Sequence, residues 1–225
     1  MLTSVVLFIG GSSGAAQSEE AVDRVLEHVR SRSGAVVARG AADAGLLGGD
    51  TTHGAETAAG PAFTAAVHLS FEDGAPEPEL VLQGLAKTLD GVADPSACAV
   101  VAGTEHIIVP GQQQLLLAMA IRRLPELTHE RFEEHWSTVH ADLGRSVPGS
   151  EGYRQVRTDD ALIRRVAPAS GFGLVDLDGA ALAYYSSHEA MLRILGDPDV
   201  SGRLMEDERT FIDHSSSALV CGWSR

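Results

Sequence analysis

The chain has 225 residues, of which 44% are hydrophobic and 21% charged, so it can bury one large core or two small ones. Its formal net charge of −14 disfavours a basic face for a phosphate backbone, and we predict no nucleic-acid partner. No apolar run is long enough to span a bilayer, so no membrane partner is predicted either. Two isolated cysteines, Cys98 and Cys221, are not a disulfide framework, and we expect a cytoplasmic protein.

The first part of the chain is predicted as strand, helix, strand, strand, helix, strand. Ser18 suits the N-cap of the first helix, because Glu19 and Glu20 then lie in the first turn, where the helix dipole favours acidic side chains. Pro76 and Pro78 open the second helix. Apolar and alternating runs predict the strands at residues 4–9, 35–38, 63–71 and 98–109.

A long segment between the second and third strands has no hydrophobic periodicity. Residues 41–61 are rich in Gly, Ala and Thr. We predict a long loop there, and a loop of this length is either functional or disordered.

The second part of the chain repeats the order of the first. Its clearest helix has Thr128 as N-cap, with Leu127 and Phe132 placed as a hydrophobic staple. Gly144 is predicted to end this helix, and Pro148 prevents its continuation. Strands are predicted at residues 115–121, 153–158, 174–185 and 217–223, and helices at 128–143, 187–195 and 201–212. For residues 115–121 the periodicity alone leaves a helix open.

Two consecutive βαββαβ units predict an α+β fold made of two tandem ferredoxin-like halves. The expected halves are residues 1–110 and 111–225. Each unit forms a four-stranded antiparallel sheet with both helices on one face, so the other face needs a cover. The sheet of the other half is the natural cover. The space between two such sheets is then a barrel-like interior that can hold a small ligand.

A family resemblance lies in the second part of the chain. The segment LTHERFEEHWSTVHADL, followed by VPGSEGYRQ, resembles the EthD family, whose pattern is F-x-x-H-W-x-x-V-H, a Pro-Gly turn and a Gly-Tyr strand. Phe-Ile-Asp at residues 211–213 also resembles the family. The matching positions of the helix, turn and strand are Phe132, His135, Trp136, Val139, His140, Pro148, Gly149, Gly152 and Tyr153.

The resemblance implies a dimeric α/β-barrel fold and cofactor-free, dehydratase-like chemistry on aromatic or polyketide-like small molecules. Most members of the family pair with a second copy of themselves. Here the first half lacks H-W-x-x-V-H, so we expect a diverged copy that completes the barrel within one chain, as an intramolecular pseudo-dimer. A homodimer through the outer surface is left open.

The positions of side chains around the motif helix predict the site residues. At 100° per residue, Phe132, Trp136, Val139 and Leu143 share one stripe, and His135 and His140 flank it on opposite sides. An imidazole at a pocket edge is the usual acid or base near neutral pH. We therefore expect catalysis by His140 with help from His135 and Tyr153. Trp136, Phe132 and Tyr185 are expected to contact the substrate.

We expect no metal, because His135 and His140 are five residues apart and helical ligands for one ion lie three or four apart. Dehydration is the first choice of reaction, and isomerisation or oxygenation of an anthrone-like substrate would use the same residues. A non-catalytic binding or accessory protein is the alternative of a different class.

The N-terminal stretch GGSSG at residues 10–14 fits G-x-S-x-G, the nucleophile elbow of α/β-hydrolases. We reject the elbow because only one short strand precedes Ser12. The same stretch resembles the opening of a dehydrogenase or a flavodoxin-like reductase, with a phosphate at the helix N-terminus. Flavin binding stays open as a lesser alternative, although Ala16 stands where the last glycine of the dinucleotide fingerprint belongs.

Overall fold

The computed structural model describes residues 2–47, 62–173 and 176–225. Most of the predicted loop at residues 41–61 therefore lies outside the described residues. The strands are β1 (Leu2–Gly10), β2 (Val36–Ala42), β3 (Phe63–Phe71), β4 (Ala99–Val109), β5 (Leu115–Ile121), β6 (Tyr153–Thr158), β7 (Gly179–Tyr185) and β8 (Ala218–Trp223).

Helices lie between β1 and β2, between β3 and β4, and in each interval between consecutive strands from β5 to β8. They are α1 (Ala15–Arg32), α2 (Pro78–Leu82), α3 (Leu85–Thr88), α4 (His129–His135), α5 (Ala141–Ser146), α6 (Asp160–Ser170), α7 (His188–Leu195) and α8 (Pro198–Glu208). A π-helical turn, Trp136–His140, joins α4 to α5 without a break, and Pro95–Ala97 form a 3-10 turn before β4. In the part of the chain that is described, no helix is long and apolar enough to cross a membrane.

The strands form one mixed-order antiparallel sheet that is nearly closed into a barrel. Its order is β2-β3-β1-β4-β6-β7-β5-β8, so the first four strands and the last four follow the same order. Strand β4 pairs with β6 and joins the two sets. At the other end, Gly40 and Arg225 exchange backbone hydrogen bonds of 3.2 and 2.9 Å beside β2 and β8. These bonds bring the two edges of the sheet together.

The interior of this barrel is packed with side chains. Both sets of strands contribute to one buried apolar cluster, which includes Val6, Phe8, Leu116, Leu182 and Val220. The space that we expected to hold a ligand between the two sheets is therefore filled, because large side chains from facing strands meet across it.

A buried polar cluster lies in the same wall, where the two sets of strands meet. Glu105 of β4 forms an ion pair with Arg154 of β6, with 2.8 Å between Oε1 and Nε, and His68 Nε2 lies 3.2 Å from Glu105 Oε2. Burial raises the pKa of Glu105, but His68, Ser4 and the charge of Arg154 outweigh it and lower the pKa to about 2. Arg154 also lies over the Tyr184 ring, 5.1 Å from its centre. A charged seam thus crosses the junction.

Helix α6 was not predicted. It lies between β6 and β7 in the chain, but it packs against the first set of strands, β1 to β4. Its Leu162 and Val166 belong to the core cluster formed with β1, β3 and α1. The local signal is Asp159, whose side chain accepts hydrogen bonds from the backbone N–H groups of Ala161 and Leu162. Pro168 inside the last turn conceals the pattern, since proline usually ends a helix.

Several predicted boundaries are wrong for local reasons. Helix α1 begins at Ala15, and Ser18 lies inside it with its hydroxyl donating to the Gly14 carbonyl. The predicted helix after Pro76 is divided into α2 and α3, because Gly84 between them has a left-handed backbone with φ of 75°. The clearest helix extends past Gly144, as α5 ends at Ser146.

Helix α8 is also displaced from its prediction at residues 201–212. The Asp197 side chain caps it by accepting from the backbone N–H of Asp199, and Pro198 begins the helix instead of breaking one. Strand β7 begins at Gly179, and residue 174, where we expected it to start, is not described. Strand β5 coincides with its prediction, which removes the helical alternative there.

Candidate functional site

A cavity of about 150 Å³ lies on the outer face of the sheet, beneath α5, α7 and α8. Strand residues such as Leu117, Met119 and Leu219 form its floor, and Ile194 and Leu204 lie among its helical walls. The polar side chains that reach it are His140, Ser150, Tyr153, Tyr185, Ser201, Glu208 and His214. A mainly apolar cavity with a few polar groups is the usual form of a small-molecule site.

The π-helical turn decides which side chains of the motif helix share a face. In a π-helix the backbone hydrogen bonds join residues five apart, so side chains five apart point in nearly the same direction. His135 and His140 therefore both reach Asp207 of α8, each with a ring nitrogen 2.8 Å from one of its carboxylate oxygens. Our prediction that these histidines point to opposite sides is wrong, because it assumed a regular α-helix.

His140 is held by Asp207 in a form suited to accept a proton. The ring is only 6% exposed, and its Nδ1 is the atom that bonds Asp207. When Nδ1 donates to the carboxylate, the neutral ring carries its lone pair on Nε2. Burial lowers the pKa of His140 below its ordinary value of 6.5, with the hydrogen bond and charge of Asp207 acting in the other direction. The imidazole is therefore mainly neutral at pH 7.

Glu208 adds a carboxyl group to the same cavity. Burial, together with the negative charge of Asp207, raises the pKa of Glu208 from 4.5 to about 7. His214 Nε2 lies 3.4 Å from its Oε2. A carboxyl group with this pKa is substantially protonated near neutral pH, so it can donate a proton where His140 can accept one.

Tyr153 lies between the motif helix and the sheet. Its hydroxyl oxygen accepts hydrogen bonds of 3.3 Å from Trp136 Nε1 and from Gln155 Nε2. The ring packs edge-on against His140 with 6.2 Å between centres, and it lies so close to Gly144 that a Cβ there would be 2.8 Å from it. Burial raises the pKa of Tyr153 above 10, so its hydroxyl stays protonated. Since the oxygen accepts two hydrogen bonds, the hydroxyl proton remains to be donated.

The part of the chain that forms this cavity matches a known protein family. Residues 124–215 match the EthD domain model, and they include the motif helix, β6, β7 and α8 up to the residues after Glu208. This part of the chain is similar to EthD domains. The resemblance inferred from Phe132 to Tyr153 is thus confirmed. No curated protein matches the chain.

Solved structures match over nearly the whole chain, beyond the EthD domain. A protein provisionally assigned as a chlorite dismutase is 12% identical to this chain, with a TM-score of 0.55. The alignment covers 100% of this chain and 94% of that protein. An arginine-to-lysine variant of chlorite dismutase from Candidatus Nitrospira defluvii is 10% identical, with a TM-score of 0.52 and coverages of 100% and 91%. A provisionally assigned monooxygenase from Fusobacterium nucleatum is 9% identical, with a TM-score of 0.52 and coverages of 99% and 91%. At these identities the likeness shows the fold alone.

The predicted site residues divide into two groups. His140, Tyr153 and Tyr185 line the cavity. Phe132 and Trp136 are fully buried in a core cluster with Phe211, beside the cavity and not among its lining residues. We therefore assign the two aromatic side chains to packing, with Trp136 also holding Tyr153. His135 is likewise absent from the lining, and it contacts Asp207 and the ring of Phe211.

The buried stripe of the motif helix also differs from the predicted one. Val139 is 48% exposed, whereas His140 and Gly144 are buried. The π-helical turn inserts one residue into the helical repeat and rotates the following residues, so His140 takes the inward position that we gave to Val139.

Sequence reasoning missed Asp207 and Glu208, which lie in the part that matches the EthD model. They belong to the run Glu206-Asp207-Glu208 at the end of α8, which has the pattern of an exposed acidic helix end. Their only sequence signal is their position shortly before Phe211, in the part that resembles the family. Another buried carboxylate, Asp178, binds Arg123 and His129 and does not line the cavity.

The surroundings of the N-terminal glycine-rich turn bear on the flavin alternative. The Gly10–Gly14 turn lies against Asp94, whose backbone N–H donates to the Gly10 carbonyl and whose Cβ is close to Gly11. An acidic side chain at this turn disfavours a phosphate group there. Among the described residues, no group of three or more His, Cys, Asp or Glu side chains is arranged to hold a metal ion.

Proposed function

We propose that the protein is a cofactor-independent acid/base enzyme that acts on a small, mainly apolar molecule of aromatic or polyketide-like character. The observation that carries this proposal is the placement of His140 and Glu208 in one apolar cavity, where burial lowers the pKa of the histidine and raises that of the carboxyl group to about 7. Between the lowered pKa of His140 and the pKa of Glu208 near 7, a neutral base and a neutral acid are available together.

Dehydration is the reaction that best uses this pair. Nε2 of His140 takes the proton from a carbon next to a carbonyl group, and the electron pair of that C–H bond forms the new double bond. The C–O bond breaks, and Glu208 protonates the leaving hydroxyl group, which departs as water. His140 then returns its proton to Glu208 through solvent. Asp207 acts as a positioning residue that fixes the tautomer of His140, and His135 holds Asp207.

The size of the cavity narrows the substrate class. A cavity of about 150 Å³ is comparable to engineered apolar cavities that hold one benzene molecule. We therefore propose a substrate whose buried part is about one aromatic ring, with Tyr185 and the apolar strand residues as its contacts. Isomerisation by proton transfer uses the same two groups and is the second reaction to test.

The same strand order in the two parts of the sheet supports a further structural proposal. We propose that residues 1–110 and 111–225 are two ferredoxin-like halves of an intramolecular pseudo-dimer, of which only the second keeps the motif helix. The two free, buried cysteines are consistent with a cytoplasmic location. A homodimer through the outer surface stays a prediction.

The function is tested by turnover of β-hydroxy ketones that carry a single aromatic ring. We expect wild-type turnover to fall by about 10²- to 10⁴-fold in His140→Ala, which is the usual contribution of one acid/base group. Asp207→Asn should lower kcat more than it changes KM, because it changes the tautomer of His140 and no substrate contact. Glu206→Gln is the control, since this neighbouring side chain is exposed.

Two outcomes of these turnover measurements would contradict the proposal. Turnover that is indifferent to His140→Ala in a folded variant would remove the acid/base assignment. Saturable binding without turnover would instead support the non-catalytic binding protein.

A further inference from the structure

A second cavity, of about 400 Å³, lies beside the π-helical turn, between that turn and strands β4 and β6. Ser137 of the turn lines it, together with apolar residues of β1 and β4. Its chemical character differs from that of the acid/base cavity. Its polar lining also includes Arg145, Arg157, His106, Gln155 and Glu105. The carboxylate of Glu105 is already paired with Arg154.

Arg157 is a half-buried cation without a carboxylate partner among the described residues. Its Nη2 contacts both ring nitrogens of His106, 2.8 Å from Nδ1, and its Nε is buried without a hydrogen-bond partner. Burial and the adjacent Arg157 lower the pKa of His106, so the ring is neutral at pH 7 and the positive charge belongs to the guanidinium. A buried donor of a charged group that lacks a partner costs free energy, and an anion would remove that cost.

Two further side chains complete the cavity. Arg145 is half exposed and donates to Asp142, so a second guanidinium lies at the rim. Gln155 is fully buried, and its Nε2 donates to the Trp136 carbonyl at 2.8 Å and to the Tyr153 hydroxyl. Its Oε1 has no hydrogen-bond partner. The cavity thus offers charged donors for an oxyanion and one acceptor for a hydroxyl group.

We propose that this cavity is a binding site for the carboxylate or phosphate group of a small molecule, with Arg157 as its main anchor. Both groups present two oxygens at the spacing that a guanidinium binds with two parallel hydrogen bonds. The chain has a net charge of −14, so the two arginines of this cavity are not part of a generally basic surface. The charge of the lining residue Glu105 is balanced by Arg154, which leaves Arg157 without a carboxylate among the described residues. Through Gln155, a bound ligand also touches the side chain that holds Tyr153 in the acid/base cavity.

The test is isothermal titration calorimetry at low ionic strength, with inorganic phosphate and with lactate as separate ligands. We expect saturable binding of one equivalent of at least one of them, and the stronger ligand identifies the source of the oxyanion. Arg157→Gln should weaken that binding tenfold or more, because it removes a charge-assisted, bidentate contact. Arg145→Gln should weaken it by a few-fold, since this side chain is half exposed.

Arg164→Gln is the matched control, because Arg164 is exposed on α6 and its replacement removes the same charge. Binding that Arg164→Gln leaves unchanged and Arg157→Gln weakens supports the site. Absence of saturable binding to the wild type, or equal weakening by Arg157→Gln and Arg164→Gln, overturns it. Arg145 lies at the rim, so its replacement leaves the core intact. The variant Arg145→Gln therefore keeps the test valid if Arg157→Gln does not fold. No step of this test requires turnover.

Discussion

At the scale of single residues, one apolar cavity moves two titratable groups in opposite directions. Burial disfavours the charged form of each group, which is the cation for His140 and the anion for Glu208. The result is a neutral base and a neutral acid at the same pH. Asp207 stands between them and contributes to both, since it hydrogen-bonds His140 and its charge adds to the raised pKa of Glu208.

The raised pKa of Glu208 makes the stability of the protein depend on pH. In the folded protein this group keeps its proton up to about pH 7, whereas in the unfolded chain it loses the proton near 4.5. Its contribution is fully present below pH 4.5 and is lost as the pH rises to about 7. Glu208→Gln, which stays neutral, should therefore gain on the order of 2–3 kcal/mol relative to wild type between pH 4.5 and 8.

Urea unfolding of both proteins at pH 5 and pH 8 measures this difference. Glu206→Gln is the control, because its side chain is exposed and should show no such pH-dependent gain. Equal stability differences for Glu208→Gln at the two pH values would show that the carboxyl group has an ordinary pKa.

The pH dependence of catalysis should follow the titration of His140 and Glu208. We expect kcat/KM to be bell-shaped, because His140 must be neutral and Glu208 protonated for the step to proceed. The acidic limb should lie below pH 6.5, since the pKa of His140 is lowered, and the alkaline limb near pH 7, where Glu208 loses its proton. In Glu208→Gln the alkaline limb near pH 7 should be absent from the residual activity. A limb that persists in this variant would assign it to another group.

At the scale of elements, the π-helical turn and the close approach of α5 to β6 form the site together. The turn places His140 inward, and the Trp136 carbonyl at its start accepts a hydrogen bond from Gln155 of β6. Gly144, one turn later, lets the helix lie directly on the ring of Tyr153. Neither the turn nor the approach is a property of the helix alone, because both depend on side chains of the sheet beneath it.

Gly144→Ala tests this close approach. The added Cβ would lie 2.8 and 2.9 Å from two ring carbons of Tyr153, so the ring or the helix must move. We expect a loss of about 1–3 kcal/mol in the free energy of unfolding, as for other overpacked sites. Gly202→Ala in α8 is the matched control, because no atom lies within 4 Å of its added Cβ and alanine favours the helix by about 0.5–1 kcal/mol. Urea unfolding that shows the same sign for both variants would contradict the contact.

At the scale of the whole molecule, the two parts of the chain are interleaved and not merely adjacent. Helix α6 comes from the second part, but Leu162 and Val166 complete the core of the first. The ion pair between Glu105 and Arg154 and the β4–β6 pairing cross the same junction. The nearly closed sheet therefore depends on both parts at once.

A fragment of residues 1–110 should consequently not fold on its own. It would lack Leu162, Val166 and Phe172 from its core, each worth about 1.5–3 kcal/mol on full burial, against a typical domain stability of about 5–15 kcal/mol. It would also expose the β4 edge that pairs with β6. Thermal unfolding followed by circular dichroism should show a cooperative transition for the full chain and none for the fragment. A cooperative transition in the fragment would establish residues 1–110 as an independent unit.

The sequence determined the parts of this protein that depend on local pattern. Apolar runs predicted each strand within a few residues, and the cap at Thr128 predicted where the motif helix begins. The spaced positions from Phe132 to Tyr153 were sufficient to indicate the EthD domain. These signals are readable because each lies within one short, continuous segment of the chain.

Only the tertiary structure decided what occupies the barrel and which groups meet in the site. The partnership of His140 with Asp207 joins residues 67 positions apart, and it requires a π-helical turn that no regular helical wheel predicts. The raised pKa of Glu208 arises from its burial beneath helices and against the sheet, which is a property of packing and not of the residue. The site of this protein is thus set by contacts between elements, whereas its strands and helices are set within them.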